Sequence, residues 1–363
     1  MKIALIGTRG VPAAYGGFET AADELGTRLV KRGHEVTVYC RGPRGIGDYC
    51  GIQCVSLPAP RVKSLETLAH TARSILHARR QTFEAVVVFN AGNAPLLGLV
   101  KQPVVLHLDG LEWKRGKWGR IGRSYYKLCE RIAAASRHEL IADSEGIARY
   151  YETRYGAPST VIAYGAPLRF SVAEDVVPLK TFNLRPDGYV LVVARLEPEN
   201  NVHLALEAYA RSSRQMPLVV VGDAPYRSRY LNDLKHTLMT TPGVRHLGRI
   251  DDQPLLDAVY ANSRAYVHGH TVGGTNPSLL RAMGAGVPVL AYDTTFNREV
   301  ADETARYFHS SEGLARLMDE AMAGALSELG ERARERVTDR YDWDVVTDAY
   351  ETLLERCSGA NVA

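Results

Sequence analysis

Two runs of unbroken apolar sequence, one at the start of the chain and one near its middle, set the terms for the fold. Lys2–Gly7 (KIALIG) and Tyr189–Arg195 (YVLVVAR) show no polar alternation, so each reads as a strand covered on both faces, central in a parallel sheet. Each opens the same cycle of short β-branched runs and longer helical stretches. In the first half, strands are expected at Glu35–Cys40, Ile52–Leu57, Ala85–Phe89, Val104–Leu108 and Leu140–Ala142, with helices near Glu19–Lys31 and Ser64–Arg79. In the second half, strands are expected at Leu218–Gly222, Val244–Leu247, Ala265–His268 and Val287–Ala291. Helices fit Val202–Arg211, Tyr226–Thr240 and Leu255–Ala261, and the sequence turns helical after Tyr307. Between the halves, Pro167, Pro178 and Pro186 punctuate Ala166–Arg185, which reads as a linker.

A chain of 363 residues has length for about two domains. The alternation therefore predicts an α/β protein of two doubly wound, Rossmann-like domains facing across a cleft, with ligands at the carboxyl ends of the strands. The expected division is residues 1–168 and 169–342. Lys and Arg number 44 against 41 Asp and Glu, a net +3, which excludes a general nucleic-acid binder. Apolar stretches such as Pro95–Val100 fall far short of the roughly 20 residues that span a bilayer. Met1 runs straight into strand-like sequence without the pattern of a secretion signal. The five cysteines include no C-x-x-C pair and read as thiols of a cytoplasmic protein.

Two glycine-rich loops carry the chemistry. The first, Gly7 to Glu19, contains Arg9, Gly10, Gly16 and Gly17, and the helix after it offers N–H groups to an anion. Its spacing is not G-x-G-x-x-G, and the next strand ends Val38-Tyr39-Cys40-Arg41 with no carboxylate for an adenosine ribose, which argues against a dinucleotide oxidoreductase. The second loop, Gly269 to Asn276, ends at an N-cap followed by Pro277. A helix beginning there presents N–H donors suited to a diphosphate, and Gly284 and Gly286 end it within about two turns. Either loop taken alone is also compatible with a plain structural turn. Arg195 closes its strand as a cation for the same site, and His107 and Asp109 end a strand of the other half. His268 and His270 lack a third ligand at metal spacing, so no metal site is expected.

Between Trp113 and Lys127 stand Lys114, Arg115, Lys117, Arg120, Arg123 and Lys127 without an acidic residue, interleaved with Trp118, Ile121, Tyr125 and Tyr126. That mixture suits peripheral docking on an anionic membrane, and equally a solvated helix face.

With these residues in view, the chain resembles the retaining nucleotide-sugar glycosyltransferases of family 4, and within it the rhamnosyltransferase-like subgroup. The likeness rests on Gly7–Glu19 (GTRGVPAAYGGFE), Asp109–Trp118 (DGLEWKRGKW), Ala142–Ser144 (ADS), Arg195–Asn201 (RLEPENN), His268–Pro277 (HGHTVGGTNP) and Phe296–Val300 (FNREV). It implies a GT-B fold in which the last helix, 343–357, returns to brace the N-terminal domain. It also implies a nucleoside-diphosphate sugar donor on the C-terminal domain and a glycan or lipid-linked acceptor on the N-terminal one, with no metal and no cofactor. Arg195, His107 and Asp109 would make the catalytic contacts. Arg9, Gly16, Gly17, Glu19, Gly273, Gly274, Thr275, Asn276, Ser278, Arg281 and Glu299 would bind substrate. The resemblance favours dTDP-rhamnose and leaves UDP- and GDP-sugars open.

Two departures matter. The broad family has glutamates at the positions of Gly273 and Arg281, and even the subgroup keeps the second, whose carboxylate accepts from the nucleotide ribose; Arg has no acceptor to offer. Asn200 stands where the broad family often has Lys. Arg281 motivates an alternative reading, a nucleotide-sugar-binding protein that has lost catalysis; a GT-B epimerase or phosphorylase is a further one.

Overall fold

The computed structural model describes residues 1–13, 16–60, 66–108, 110–116, 118–168, 176–224 and 228–359. Asp109, Lys117, Ser64, Tyr226 and residues 169–175 of the expected linker lie outside them. The chain forms two compact units, Met1–Tyr164 with Trp343–Ala363, and Gly165–Asp342.

The first unit is built on strands β1 (Lys2–Ile6), β2 (Glu35–Arg41), β3 (Gly45–Tyr49), β4 (Ile52–Leu57), β5 (Ala85–Phe89), β6 (Val104–His107), β7 (Glu139–Ala142) and β8 (Thr160–Val161). They lie in the order β3-β4-β2-β1-β5-β6-β7-β8, all parallel except β3, which runs antiparallel to β4. Every residue of β5 is buried, as are Ile3–Ile6 of β1, the signature of parallel strands covered on both faces. Strand β3 escapes the sequence reading because its residues GIGDY are almost wholly exposed. It exists through pairing, not burial. Helices α1 (Gly17–Lys31), α2 (Glu66–Ala78), α3 (Arg120–Ala135) and α4 (Glu145–Tyr155) connect the strands. The C-terminal helix, Trp343–Gly359, belongs to this unit and meets α1 through ion pairs of Arg28 with Asp344 (3.0 Å), Arg32 with Asp348 (2.6 Å) and Arg32 with Glu351 (2.7 Å).

The second unit has strands β9 (Val190–Val193), β10 (Leu218–Val221), β11 (Val244–Gly248), β12 (Ala265–His268), β13 (Val289–Tyr292) and β14 (Ala305–Phe308), all parallel, in the order β11-β10-β9-β12-β13-β14. Its helices are α5 (Val176–Thr181), α6 (Val202–Arg211), α7 (Arg229–Thr240), α8 (Gln253–Ala261), α9 (Pro277–Gly284), α10 (Thr295–Ala301), α11 (Ser311–Met322) and α12 (Ser327–Arg340). Before the helical stretch that follows Tyr307 the structure adds a strand not among those expected, β14: Ala305 and Phe308 are buried and pair alongside β13, a contact no local pattern announces. Within the expected linker, Ala166 is tied down by its amide donating to Tyr341 O at 2.8 Å.

In both sheets the winding direction reverses beside the first strand, between β1 and β5 and between β9 and β12. In open α/β sheets such a reversal splays the connecting loops apart and leaves a crevice at the strand ends. Both glycine-rich loops follow strands at these reversals.

Candidate functional site

In the first unit, the loop after β1 is closely packed. A Cβ on Gly7 (φ +103°) would stand 2.5 Å from Phe89 O, and one on Gly10 (φ +113°) 2.5 Å from Cys40 Sγ. The loop amides are answered from α1: Arg9 N donates to Glu19 Oε1 at 2.9 Å, and Ala13 N to Asp23 Oδ2 at 2.7 Å. Burial raises the Glu19 carboxyl above the usual range, and the Arg9 amide partly offsets this. Gly16 is the N-cap of α1, which starts at Gly17, two residues earlier than the sequence suggests.

His107 ends β6 and is 1% exposed. Its ring lies between Phe18 (5.4 Å), Phe89 (5.6 Å) and Tyr164 (5.5 Å), with Tyr350 of the C-terminal helix stacked at 6.4 Å. Burial pushes its pKa down to about 4, so the ring is neutral near pH 7. Its Nδ1–H then donates to Leu108 O at 2.8 Å, leaving Nε2 as the acceptor. The aromatic surround was not legible in the sequence, since its members come from three separate elements and the loop after β8.

In the second unit the two strands flanking the reversal lead into the candidate residues. Strand β9 stops at Val193, two residues before Arg195. The Arg195 guanidinium lies 3.6 Å from Glu197 and is one-third exposed; its carbonyl accepts from Asn200 Nδ2 at 2.8 Å. Asn200 thus shapes the turn carrying Arg195.

The loop after β12 is pinned by neutral groups. Asn201 Nδ2 donates to Gly269 O at 3.0 Å, Thr271 N to Glu199 O at 2.9 Å, and Asn297 Nδ2 to His270 O at 2.9 Å. Gly269 has no room for a side chain: a Cβ would sit 2.4 Å from Asn200 O. Gly273 (φ +140°) faces open space, with nothing within 4 Å of a Cβ. A small pocket there is lined by Gly273, Gly274, Asn276, Thr294, Phe296 and Asn297.

Asn276 caps α9 as the sequence suggests, and the cap has a consequence for the donors. Asn276 Oδ1 accepts from Ser278 N (3.1 Å) and Ser278 Oγ (2.8 Å), while Asn276 O accepts from the Leu279 and Leu280 amides, both at 3.1 Å. The helix end has therefore spent its own first donors, and the N–H groups not so engaged lie upstream, at Gly273 and Gly274. Thr275 is buried. Helix α9 runs eight residues, and at its last residue a Cβ on Gly284 would stand 2.4 Å from Pro167 O, so the short helix also has a packing reason.

Arg281 points its charge at α8, with Nε 2.8 Å from Asp257 Oδ1 and Nη2 2.9 Å from Gln253 Oε1. Glu299 sits half-buried on α10, its carbonyl accepting from Arg336 at 2.9 Å. His268 and His270 stack at 4.3 Å. Among the described residues, no group of three His, Cys, Asp or Glu could hold a metal ion, and no helix is long and apolar enough to cross a membrane.

Residues 180–339 match the family described as glycosyl transferases group 1, and residues 1–167 match a domain of unknown function. The O-antigen chain mannosyltransferase B of Escherichia coli is 28% identical over 137 residues, 37% of this chain; the chain spans about a third (36%) of that relative's length. Among solved structures, the sucrose-phosphate synthase of Thermosynechococcus elongatus superposes with a TM-score of 0.84 at 20% identity, covering 99% of both chains. Anabaena HepE in complex with UDP-glucose superposes with a TM-score of 0.75 at 17% identity, covering 97% of this chain and 99% of that one. The chain thus carries a glycosyltransferase domain, and its fold is GT-B.

Proposed function

We propose that this protein transfers a sugar from a nucleoside-diphosphate sugar to a hydroxyl of a glycan or lipid-linked acceptor, with retention at the anomeric carbon and without a metal. The reading is carried by one observation. Within the matched domain, the two strands flanking the sheet reversal deliver Arg195 on one side and the open Gly273–Gly274 loop, capped by Asn276, on the other. Breaking the bond from anomeric carbon to phosphate oxygen loads negative charge on the β-phosphate. Arg195 and the Gly273 and Gly274 amides supply donors to it, and loss of one such donor costs about 3 kcal/mol of transition-state stabilisation. The departing phosphate takes the proton of the attacking hydroxyl, so no separate base is required. Thr275, Asn276 and Glu299 complete the donor contacts, and Ser278, whose N–H and Oγ both donate to Asn276 Oδ1, holds the cap in place.

In the first unit, Arg9, Gly16, Gly17 and Glu19 form the substrate-side loop, and His107 with Asp109 is assigned to the sugar or acceptor. His107 serves there as a neutral hydrogen-bonding group, because burial disfavours its charged form. Arg281, held by Asp257 and Gln253, has a structural reason to be an arginine, so its presence does not by itself speak for lost catalysis. The resemblance to the rhamnosyltransferase-like subgroup favours dTDP-rhamnose as donor.

The mannosyltransferase relative, named for an O-antigen chain, supports a glycan chain as the acceptor class, and α3 supports work at an anionic membrane surface. Its solvent face carries Arg120, Arg123, Lys127 and Arg131 beside Ile121 (88% exposed) and Leu128 (51%), while its one carboxylate, Glu130, is buried. Trp113 is flanked by Lys114 at 5.6 Å and Lys127 at 4.5 Å. Cations beside an apolar stripe suit such a surface.

Melting curves against dTDP-rhamnose, UDP-glucose and GDP-mannose test the donor. A ligand at about 100 times its Kd adds about 2.7 kcal/mol of stability. Nucleotide release on adding acceptor, with the anomeric configuration of the product read by NMR, tests transfer and retention. No shift with any nucleotide sugar sinks the reading; a shift without turnover favours a binding protein. Sedimentation with phosphatidylglycerol vesicles but not phosphatidylcholine vesicles tests the membrane surface.

A further inference from the structure

Tyr266 is fully buried on β12, yet its hydroxyl is the meeting point of four polar groups from different elements, one of them the Tyr260 hydroxyl of α8. Val193 O, the last carbonyl of β9, lies 3.3 Å away; Ser278 Oγ in the first turn of α9 lies at 3.1 Å; His268 Nδ1 lies at 3.2 Å. Counting protons orders the chain. Ser278 Oγ gives its hydrogen to Asn276 Oδ1 at 2.8 Å, so towards Tyr266 it only accepts. Tyr266 has one proton, shared between Ser278 Oγ and Val193 O, and its lone pairs receive the hydroxyl of Tyr260 and the Nδ1–H of His268, a neutral ring in this buried place. One hydroxyl therefore ties the strand leading to Arg195 to the cap that sets the Gly273–Asn276 loop. Burial keeps the phenol protonated. The ring itself lies against those of Tyr260 at 5.4 Å and His268 at 5.8 Å.

We infer that Tyr266 is a positioning residue for diphosphate recognition, its hydroxyl holding the Arg195 strand and the α9 cap at the separation a diphosphate requires. The inference rests on the donor reading above and adds a residue that touches neither ligand nor solvent. It acts on the phosphate seat alone, so its loss weakens what the second phosphate contributes and spares what the base and first phosphate contribute.

The test is Tyr266→Phe, which removes one oxygen and keeps the ring. Calorimetric affinities are measured for UDP against UMP and for dTDP against dTMP, with thermal melts in parallel. Expected is a loss of about tenfold for the diphosphates, the worth of one good hydrogen bond, with the monophosphates changed less than about twofold. Ser278→Ala should give the same selective loss, and the double variant should lose no more than either single one, because both break one link. An equal loss for mono- and diphosphates, no loss in either variant, or additive losses would overturn the inference while leaving the donor reading intact. A wild-type protein that binds none of these four nucleotides and neither GDP nor GMP would overturn both.

Discussion

The two glycine-rich loops look alike in sequence and differ in what their donors are doing. In the first unit, Arg9 N and Ala13 N are answered by Glu19 and Asp23, and Gly7 and Gly10 are pressed against β5 and β2. In the second unit, the loop is held by asparagine amides and a threonine giving to carbonyls, and Gly273 faces open space. The first loop carries its own anions; the second leaves room for one from outside. Carboxyl groups already seated on the amides occupy the place of an outside anion, so on the donor reading proposed above the phosphates sit at the second loop and the first has a mainly architectural task.

The comparison can be broken at several points. The largest effect is expected at Arg195→Ala, a fall of about 100-fold or more in sugar transfer, on the order of 3 kcal/mol, measured by nucleotide release; near-wild-type turnover would remove the cation from the phosphate seat. Next comes Gly10→Ala. Its Cβ would meet Cys40 Sγ at 2.5 Å with φ at +113°, and a loss of about 3 kcal/mol in urea unfolding is expected from clash and backbone strain together. Gly273→Ala should be milder in the same assay, about 1 kcal/mol from backbone strain alone, with its clearer effect on nucleoside diphosphate affinity. If the two glycines prove equal in stability, the contrast between a packed loop and an open one fails.

The smallest effect concerns Glu19. Its carboxyl is raised by burial in the folded chain, so the fold favours the protonated form. That extra stability is complete below the usual carboxylate range and is lost as pH rises through the folded value. Glu19→Gln should therefore leave stability at pH 7 unchanged or slightly higher, with the difference from wild type fading towards pH 4 in a series of thermal melts. A large destabilisation at pH 7 would mean that the Arg9 amide needs a charged acceptor, and that the first loop depends on its anion more than burial suggests.

Much of the fold was legible because buried parallel strands and capped helices write themselves locally. The runs at Ile3–Ile6 of β1 and at β9 are apolar throughout, and Asn276-Pro277 marks the start of α9 as its residue types require. What stayed hidden is instructive. Strand β3 buries nothing, so it leaves no hydrophobic trace. Strand β14 ends two residues before helix α11 and merges with it in any window long enough to show periodicity. At the candidate site, sequence placed Gly273, Asn276 and Ser278 together by adjacency. It could not show that Asn276 consumes the Ser278 amide, or that Tyr266 reaches both Ser278 and Val193.

Arg281 makes the division plain. Its identity and its place in a short helix follow from the chain alone, and from those an arginine among phosphate-binding residues suggests a ligand cation. Asp257 and Gln253, more than twenty residues away, turn its charge towards α8. Periodicity, capping and burial depend on neighbours along the chain, so the sequence determined the strands, the sheet class and the helix ends by itself. Which donors and charges are already satisfied depends on groups that arrive from elsewhere in the fold, and only the tertiary structure decided that.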